Sequence, residues 1–321
     1  MSRGISRFEI SERLGEGGMG VVYVAEQTTP VRRKVAVKII KAGLASKELT
    51  SRFEAERQAL AIMEHPNIAK VFDGGVDQQS RPYLAMELVQ GDPIHEFCDQ
   101  HRMSTDERLK SFLDVCSAVQ HAHQKGIIHR DLKPSNVLVA EIDDRVVPKL
   151  IDFGVAKAVG QELLHETLYT SFTQMIGTPL YMSPEQTRMG VVDVDTRSDV
   201  YSLGVLLYEL LTGTTPFASE ELKQAGFDEM RRIIQEEEPS RPSKQVSTLS
   251  DKARSTSAER RGIDHRQLTN TLKGELDWIV MKALAKDRDR RYQSAGELAE
   301  DIERYLRNEP VEAHPTSISY R

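Results

Sequence analysis

Over the first ninety residues apolar positions come in short alternating runs, and beyond them the spacing turns helical. Phe8-Glu9-Ile10 and Val21-Val22-Tyr23-Val24 flank a glycine-rich turn, and Lys34-Val35-Ala36-Val37-Lys38-Ile39 alternates, so residues 8–90 are predicted to be strand-rich. One helix interrupts them: Leu49, Phe53, Leu60 and Met63 recur at helical spacing, with Glu56 in the same seam. A carboxylate on an apolar face is expensive unless a cation meets it there. Further on, Ser104-Thr105-Asp106-Glu107 reads as a capping box opening a helix that runs toward Gln124. Asp199 to Leu211 is apolar nearly all round, which predicts a buried helix, and Gly213 is placed to end it. Ser294 to Arg307 is amphipathic, with Leu298, Ile302 and Tyr305 on one face. Residues 237–273 break the pattern, being rich in Ser, Arg and Pro with little periodicity. They read as a long surface insertion, partly disordered: a solvated loop, or alternatively a docking or regulatory segment.

Composition narrows the class. A chain of 321 residues, 39% hydrophobic and 29% charged, suits a soluble globular protein of one large domain or two lobes. A net charge of −6 argues against bulk nucleic-acid binding. Two cysteines, Cys98 and Cys116, cannot form a disulfide framework and suit a reducing cytoplasm. The opening residues hold no apolar run of signal-peptide length. The longest apolar stretch, around Val205-Leu206-Leu207-Tyr208, is broken by Glu209, far short of the ~20 residues of a membrane helix. The expectation is a cytoplasmic enzyme without a membrane segment in this chain, although an anchor could lie outside it.

Gly15-Glu16-Gly17-Gly18-Met19-Gly20-Val21-Val22 matches G-x-G-x-x-G-x-V. Alone this is weak, since several folds bring glycine amides close to phosphate and a plain hairpin would look similar. A dinucleotide-binding fold needs a helix directly after the glycines, whereas β-branched residues follow here. A P-loop needs Gly-Lys-Ser/Thr, which is lacking. Eighteen positions after Gly20, Val35-Ala36-Val37-Lys38 sets a lysine on a strand. Pairing Lys38 with Glu56, preferred over Glu54, satisfies both side chains and aims the ammonium at α- and β-phosphates.

The specific signal is Ile128-His129-Arg130-Asp131-Leu132-Lys133-Pro134-Ser135-Asn136, followed sixteen positions after Asn136 by Asp152-Phe153-Gly154. In this order and spacing the motifs resemble the protein kinase superfamily, and the resemblance runs from about Phe8 to Arg307. It implies an α+β bilobal fold: an N-lobe with a five-stranded antiparallel sheet and one helix over about 8–88, and a mainly helical C-lobe over about 91–313. It also implies ATP as phosphoryl donor, with Mg²⁺ as the metal and Mn²⁺ as a substitute. Phosphoryl transfer builds negative charge, so positioning and countercharge dominate. Asp131 is implied as base, Lys133 as countercharge to the transferred phosphate, and Asn136 and Asp152 as hard oxygen ligands. His129 is expected to be a packing residue.

The same resemblance makes Tyr83-Leu84-Ala85-Met86-Glu87-Leu88-Val89 the adenine-reading strand and hinge. Met86 would be the gatekeeper, the backbone of Glu87 and Val89 would meet the base edge, and Val22, Ala36 and Leu138 would sandwich its faces. Asp199 is implied to brace the catalytic loop, and Arg291 to salt-bridge Glu185. Lys133, together with Thr178 in Gly177-Thr178-Pro179, points to serine and threonine rather than tyrosine. Arg130 before Asp131 implies activation by loop phosphorylation, with Thr170 and Thr173 as candidates and self-association for trans-autophosphorylation. The segment from Gly274 to Leu284 resembles the eukaryotic-like serine/threonine kinases of bacteria. Departures are small: Ser183 for Ala in A-P-E, Arg288 for Pro in K-D-P, and the long 237–273 segment. The competing reading, a pseudokinase scaffold, is disfavoured by the complete set Lys38, Glu56, Asp131, Asn136 and Asp152.

Overall fold

The computed structural model describes residues 7–17, 20–41, 60–143, 145–153, 179–188, 194–218, 222, 226–249 and 251–314. Strands β1 (Phe8–Glu16), β2 (Gly20–Gln27), β3 (Arg33–Ile40), β4 (Val71–Val76) and β5 (Pro82–Glu87) form one antiparallel sheet in the order β1-β2-β3-β5-β4. Alternation decides its faces. Val35, Val37 and Ile39 bury outward against Phe8, Ala25, Tyr83 and Ala85, while Ala36 and Ile40 turn inward with Leu84 and Met86. The helix expected to carry Glu56 falls outside the described residues except at its end, where Leu60 and Met63 are buried.

The second lobe begins with strand β6 (Asp92–Pro93) and helix α1 (Ile94–Gln100), followed by α2 (Thr105–Gln124). The reciprocal bonds of the predicted capping box open α2: Ser104 Oγ accepts from the Glu107 amide, and the Glu107 carboxylate accepts from the Ser104 amide. Strands β7 (Val137–Ile142) and β8 (Arg145–Leu150) pair with β6 into a small antiparallel sheet. The lobes are joined by backbone bonds where Leu150 donates to the Asn67 carbonyl at 2.8 Å and accepts from the Ala69 amide at 3.0 Å.

Helix α3 (Thr196–Thr212) is the central rod, buried almost throughout from Ser198 to Thr212 and ended by left-handed Gly213 at φ 82°. Gly204 lets it approach α8 (Glu275–Ala283), since a Cβ there would sit 2.8 Å from the Ala283 Cβ. Helix α4 (Phe227–Glu236) lies between α3 and α8 in the chain, and α9 (Ala295–Leu306) closes the lobe with Leu298 and Ile302 inward, as the amphipathic pattern predicts. Asp301 of α9 is buried and accepts from the Tyr292 hydroxyl at 2.7 Å and from the amides of Glu312 and Ala313, which ties residues 312 and 313 to the lobe.

Residues 237–273 correct the sequence reading. Where a solvated or disordered loop was expected, helices α5 (Pro242–Thr248), α6 (Asp251–Glu259) and α7 (His265–Leu272) form and bury Val246, Ala258, Leu268 and Leu272 in the main core. Polar side chains anchor this segment alongside the apolar ones. Buried Arg261 donates to the carbonyls of Ser257 and Leu210, both at 2.8 Å, and Ser257 Oγ donates to the Thr212 carbonyl at 2.6 Å. Arg108 of α2 reaches the same Leu210 carbonyl at 3.2 Å. The last carbonyls of α3 are thus capped by side chains from two other elements, with cations at the negative end of the helix dipole. Burial, and then the neighbouring Arg108 charge, lower the Arg261 pKa to about 9. Among the described residues no helix is long and apolar enough to cross a membrane.

Candidate active site

The inner face of the N-lobe sheet and the loop between α2 and β7 meet at one cleft. Cross-strand register sets Val22 opposite Lys38, and Lys38 opposite Leu84, with Ala36 beside Met86. These side chains therefore share one face. Leu138 enters from β7 in the other lobe, half-buried, and Val89 follows the end of β5. The Glu87 amide donates to the Lys70 carbonyl at 2.8 Å and its carboxylate holds Lys149 at 2.9 Å. A base edge can therefore use the Glu87 carbonyl but not its amide.

The glycine flap divides by purpose. A Cβ at Gly20 would lie 2.5 Å from the Ile39 carbonyl oxygen, so packing alone requires glycine there. At Gly15 and Gly17 a Cβ would meet nothing within 4 Å, so internal packing leaves open space beside that backbone. The turn is closed by the Gly17 amide donating to the Gly20 carbonyl at 2.9 Å. Glu16, at its edge, is salt-bridged to Lys41 at 2.8 Å and also to Arg13. Gly18 and Met19 lie outside the described residues.

In the catalytic loop Asp131, Lys133 and Asn136 come together. Lys133 Nζ is 2.9 Å from Asp131 Oδ2. Asn136 Nδ2 donates to the Asp131 carbonyl at 2.8 Å and to Asp131 Oδ2 at 3.2 Å. A carbonyl can only accept, so the amide is oriented with its oxygen turned away from Asp131. Across the cleft Lys38 Nζ is paired with Asp152 Oδ1. The expected Lys38–Glu56 pair cannot be placed, because Glu56 lies outside the described residues, as do Thr170, Thr173 and Thr178.

The loop is held from beneath. Asp199, fully buried, accepts from the His129 amide at 2.7 Å, the Arg130 amide at 2.8 Å and His123 Nε2 at 2.8 Å. Burial raises the Asp199 pKa, but the His123 bond and charge, aided by His129, outweigh it and hold the carboxyl below its ordinary value. His129 does more than pack. Its Nδ1 accepts from the Asp131 amide at 3.3 Å, and its Nε2 lies 3.3 Å from the Ile151 carbonyl. Those partners select the neutral tautomer with hydrogen on Nε2, and burial lowers the ring pKa in the same direction. The expected Glu185–Arg291 pair is present, bidentate and buried, at 2.7 and 2.9 Å. Burial opposes the Glu185 charge, yet Arg291 keeps its pKa lowered.

Sequence reasoning missed His123 and Gln186. Nothing local marks His123. For Gln186 a signal existed: Ser183-Pro184-Glu185-Gln186 has the S-x-x-Q spacing of a capping box.

Strand lobe, helical lobe and the polar cluster between them define a protein kinase. Residues 8–300 match the family described as protein kinase domain, and the chain belongs to that family. It is 38% identical over 312 residues to a probable serine/threonine-protein kinase of Streptomyces coelicolor, covering 96% of this chain and 41% of that protein. Serine/threonine-protein kinase PknB of Mycobacterium tuberculosis is 36% identical over 312 residues, covering 96% of this chain and 44% of that protein. The chain thus spans less than half the length of these relatives. Among solved structures, the PknI kinase domain of M. tuberculosis superposes with a TM-score of 0.65 at 23% identity, covering 94% of this chain and 98% of that one.

Proposed function

We propose that this protein is a serine/threonine protein kinase of the eukaryotic-like type found in bacteria, transferring the γ-phosphate of ATP to protein hydroxyls. The observation that carries the reading is the Asp131–Lys133–Asn136 cluster facing the Lys38–Asp152 pair. The donor set suits Mg²⁺, which takes oxygen ligands and shares its shell between one or two carboxylates and phosphates. Asp152 and the outward oxygen of Asn136 would hold it, and bound metal supplies countercharge along the phosphates. Mn²⁺ would substitute on the same oxygens. Lys38 would hold the α- and β-phosphates, and the open space at Gly15 and Gly17 leaves room for a phosphate chain beside the backbone. Val22, Ala36, Met86 and Leu138 would enclose the base.

In the reaction an oxygen–phosphorus bond forms from the substrate hydroxyl, the bond between the γ-phosphorus and its bridging oxygen breaks, and ADP leaves. Asp131 orients the hydroxyl and takes its proton, while Lys133 lies against the charge that builds on the transferred group. Lys133 and Thr178 support serine and threonine as acceptors, as do the names of the relatives. Radiolabel transfer to a generic protein substrate tests this: Asp131→Ala should lose at least about 10³-fold in rate, and equal labelling by both proteins would sink the assignment.

Activation through the loop is the second part of the reading. The Nε of Arg130 is buried without a hydrogen-bond partner among the described residues, which suits a side chain awaiting an anion. A phosphate on Thr170 or Thr173, added in trans by a second copy in the cytoplasm, would supply it. Mass spectrometry after incubation with Mg-ATP should find phosphate on one or both threonines. Loop phosphate confined to other residues counts against it.

A further inference from the structure

We infer that Gln186 is a positioning residue for phosphoryl transfer, acting as a latch on the peptide that carries Asp131. This rests on the assignment of Asp131 as base. Gln186 Nε2 donates to the Arg130 carbonyl at 3.0 Å, across 56 positions of sequence. Its Oε1 accepts from the Ser183 amide at 2.9 Å, and its own amide approaches Ser183 Oγ at 3.4 Å. The Gln186 amide group therefore has one possible orientation: a backbone N–H can only donate and a carbonyl can only accept.

The Arg130 carbonyl and the Asp131 amide belong to one peptide unit. Gln186 holds its oxygen, and His129 Nδ1 accepts from its nitrogen. One residue earlier the Arg130 amide is held by Asp199. Arg130 itself lies at φ 63°, a left-handed conformation that side-chain-bearing residues rarely adopt and that surrounding bonds must enforce. Asp199 fixes one end of that strained residue and Gln186 the other. The latch is mounted on a rigid base, because neighbouring Glu185 is clamped by Arg291 and by Ser198 Oγ at 2.6 Å, and Ser183 is fully buried. The Gln186 amide donates to the Ser183 carbonyl at 3.0 Å, and the Ser183 hydroxyl, where the family usually has alanine, lies beside it. Releasing the Arg130 carbonyl lets the peptide rotate, which swings Asp131 off the hydroxyl without disturbing the nucleotide cleft.

Two substitutions separate positioning from mere support. Gln186→Glu keeps an acceptor for the Ser183 amide but cannot donate to the Arg130 carbonyl. Gln186→Lys keeps a donor and loses the acceptor. Each adds a charge at the same half-buried place, so general destabilisation affects both, whereas the order of kcat does not follow from it. The expected result is kcat lower by about tenfold in Gln186→Glu than in Gln186→Lys, with KM for ATP and nucleotide Kd within about twofold of wild type in both. Amide hydrogen exchange across residues 128–137 should quicken by about fivefold in Gln186→Glu while that of α2 stays unchanged. Equal kcat in the two variants, the reverse order, or losses that track Tm and nucleotide affinity would overturn the latch. Asp131→Asn measured alongside reads the base separately: if it keeps wild-type kcat, that assignment fails whatever Gln186 does.

Discussion

Burial holds the His129 imidazole below its ordinary pKa of about 6.5, and the bond its Nδ1 accepts from the Asp131 amide needs the neutral ring. In the unfolded chain the ring takes a proton as pH falls through that value, whereas the folded ring resists it. Stability from this residue is therefore present above about pH 6.5 and is lost toward acid, and His65, also lowered by burial, adds in the same sense. Tm and kcat should fall together below that pH, and His129→Gln should show a shallower decline of Tm with acid; an unchanged slope would remove His129 from the account. At this scale the sequence was legible where chemistry is local. Asp131, Lys133 and Asn136 lie within one short loop, so their types and spacing announce them. His123 reaches Asp199 across 76 positions and Gln186 reaches Arg130 across 56, and no local pattern records such bonds.

Helices α5 to α7 mark the limit of periodicity. Strong signals read correctly: the box at Ser104 opened α2, and Gly213 ended α3. In 237–273 the helices are short and offer few inward apolar residues among those described, such as Val246 with Pro242, or Leu268 with Leu272. What anchors them is polar, with Arg261 and Ser257 feeding the carbonyls at the end of α3. Hydrophobic spacing cannot register an arginine that behaves as core. Leu268 is fully buried, so Leu268→Ala should cost about 2–5 kcal/mol of unfolding free energy in a urea titration. A cost under about 0.5 kcal/mol would return the segment to the surface loop that its composition suggested.

The whole molecule is two lobes joined near Asn67 and Leu150 around a cleft whose charges come from both sides. A ligand that binds only the folded cleft raises stability by mass action, about 2.7 kcal/mol at one hundred times its Kd. Wild type should therefore gain about 5 °C in Tm with a non-hydrolysable ATP analogue and Mg²⁺. Asp152→Asn should lose most of that gain at equal ligand, and an equal gain would unseat Asp152 as a metal ligand. Helix α3 runs beneath this cleft with Asp199 in its first turn and Leu210 and Thr212 at its end. It is buried along nearly its whole length, from Ser198 to Thr212. Polar ties reach it at both tips: at one the loop that carries Asp131, at the other the arginines and serine drawn from α2 and the 237–273 segment. A segment whose composition looks dispensable is thus anchored to the far end of the rod that braces the loop carrying Asp131.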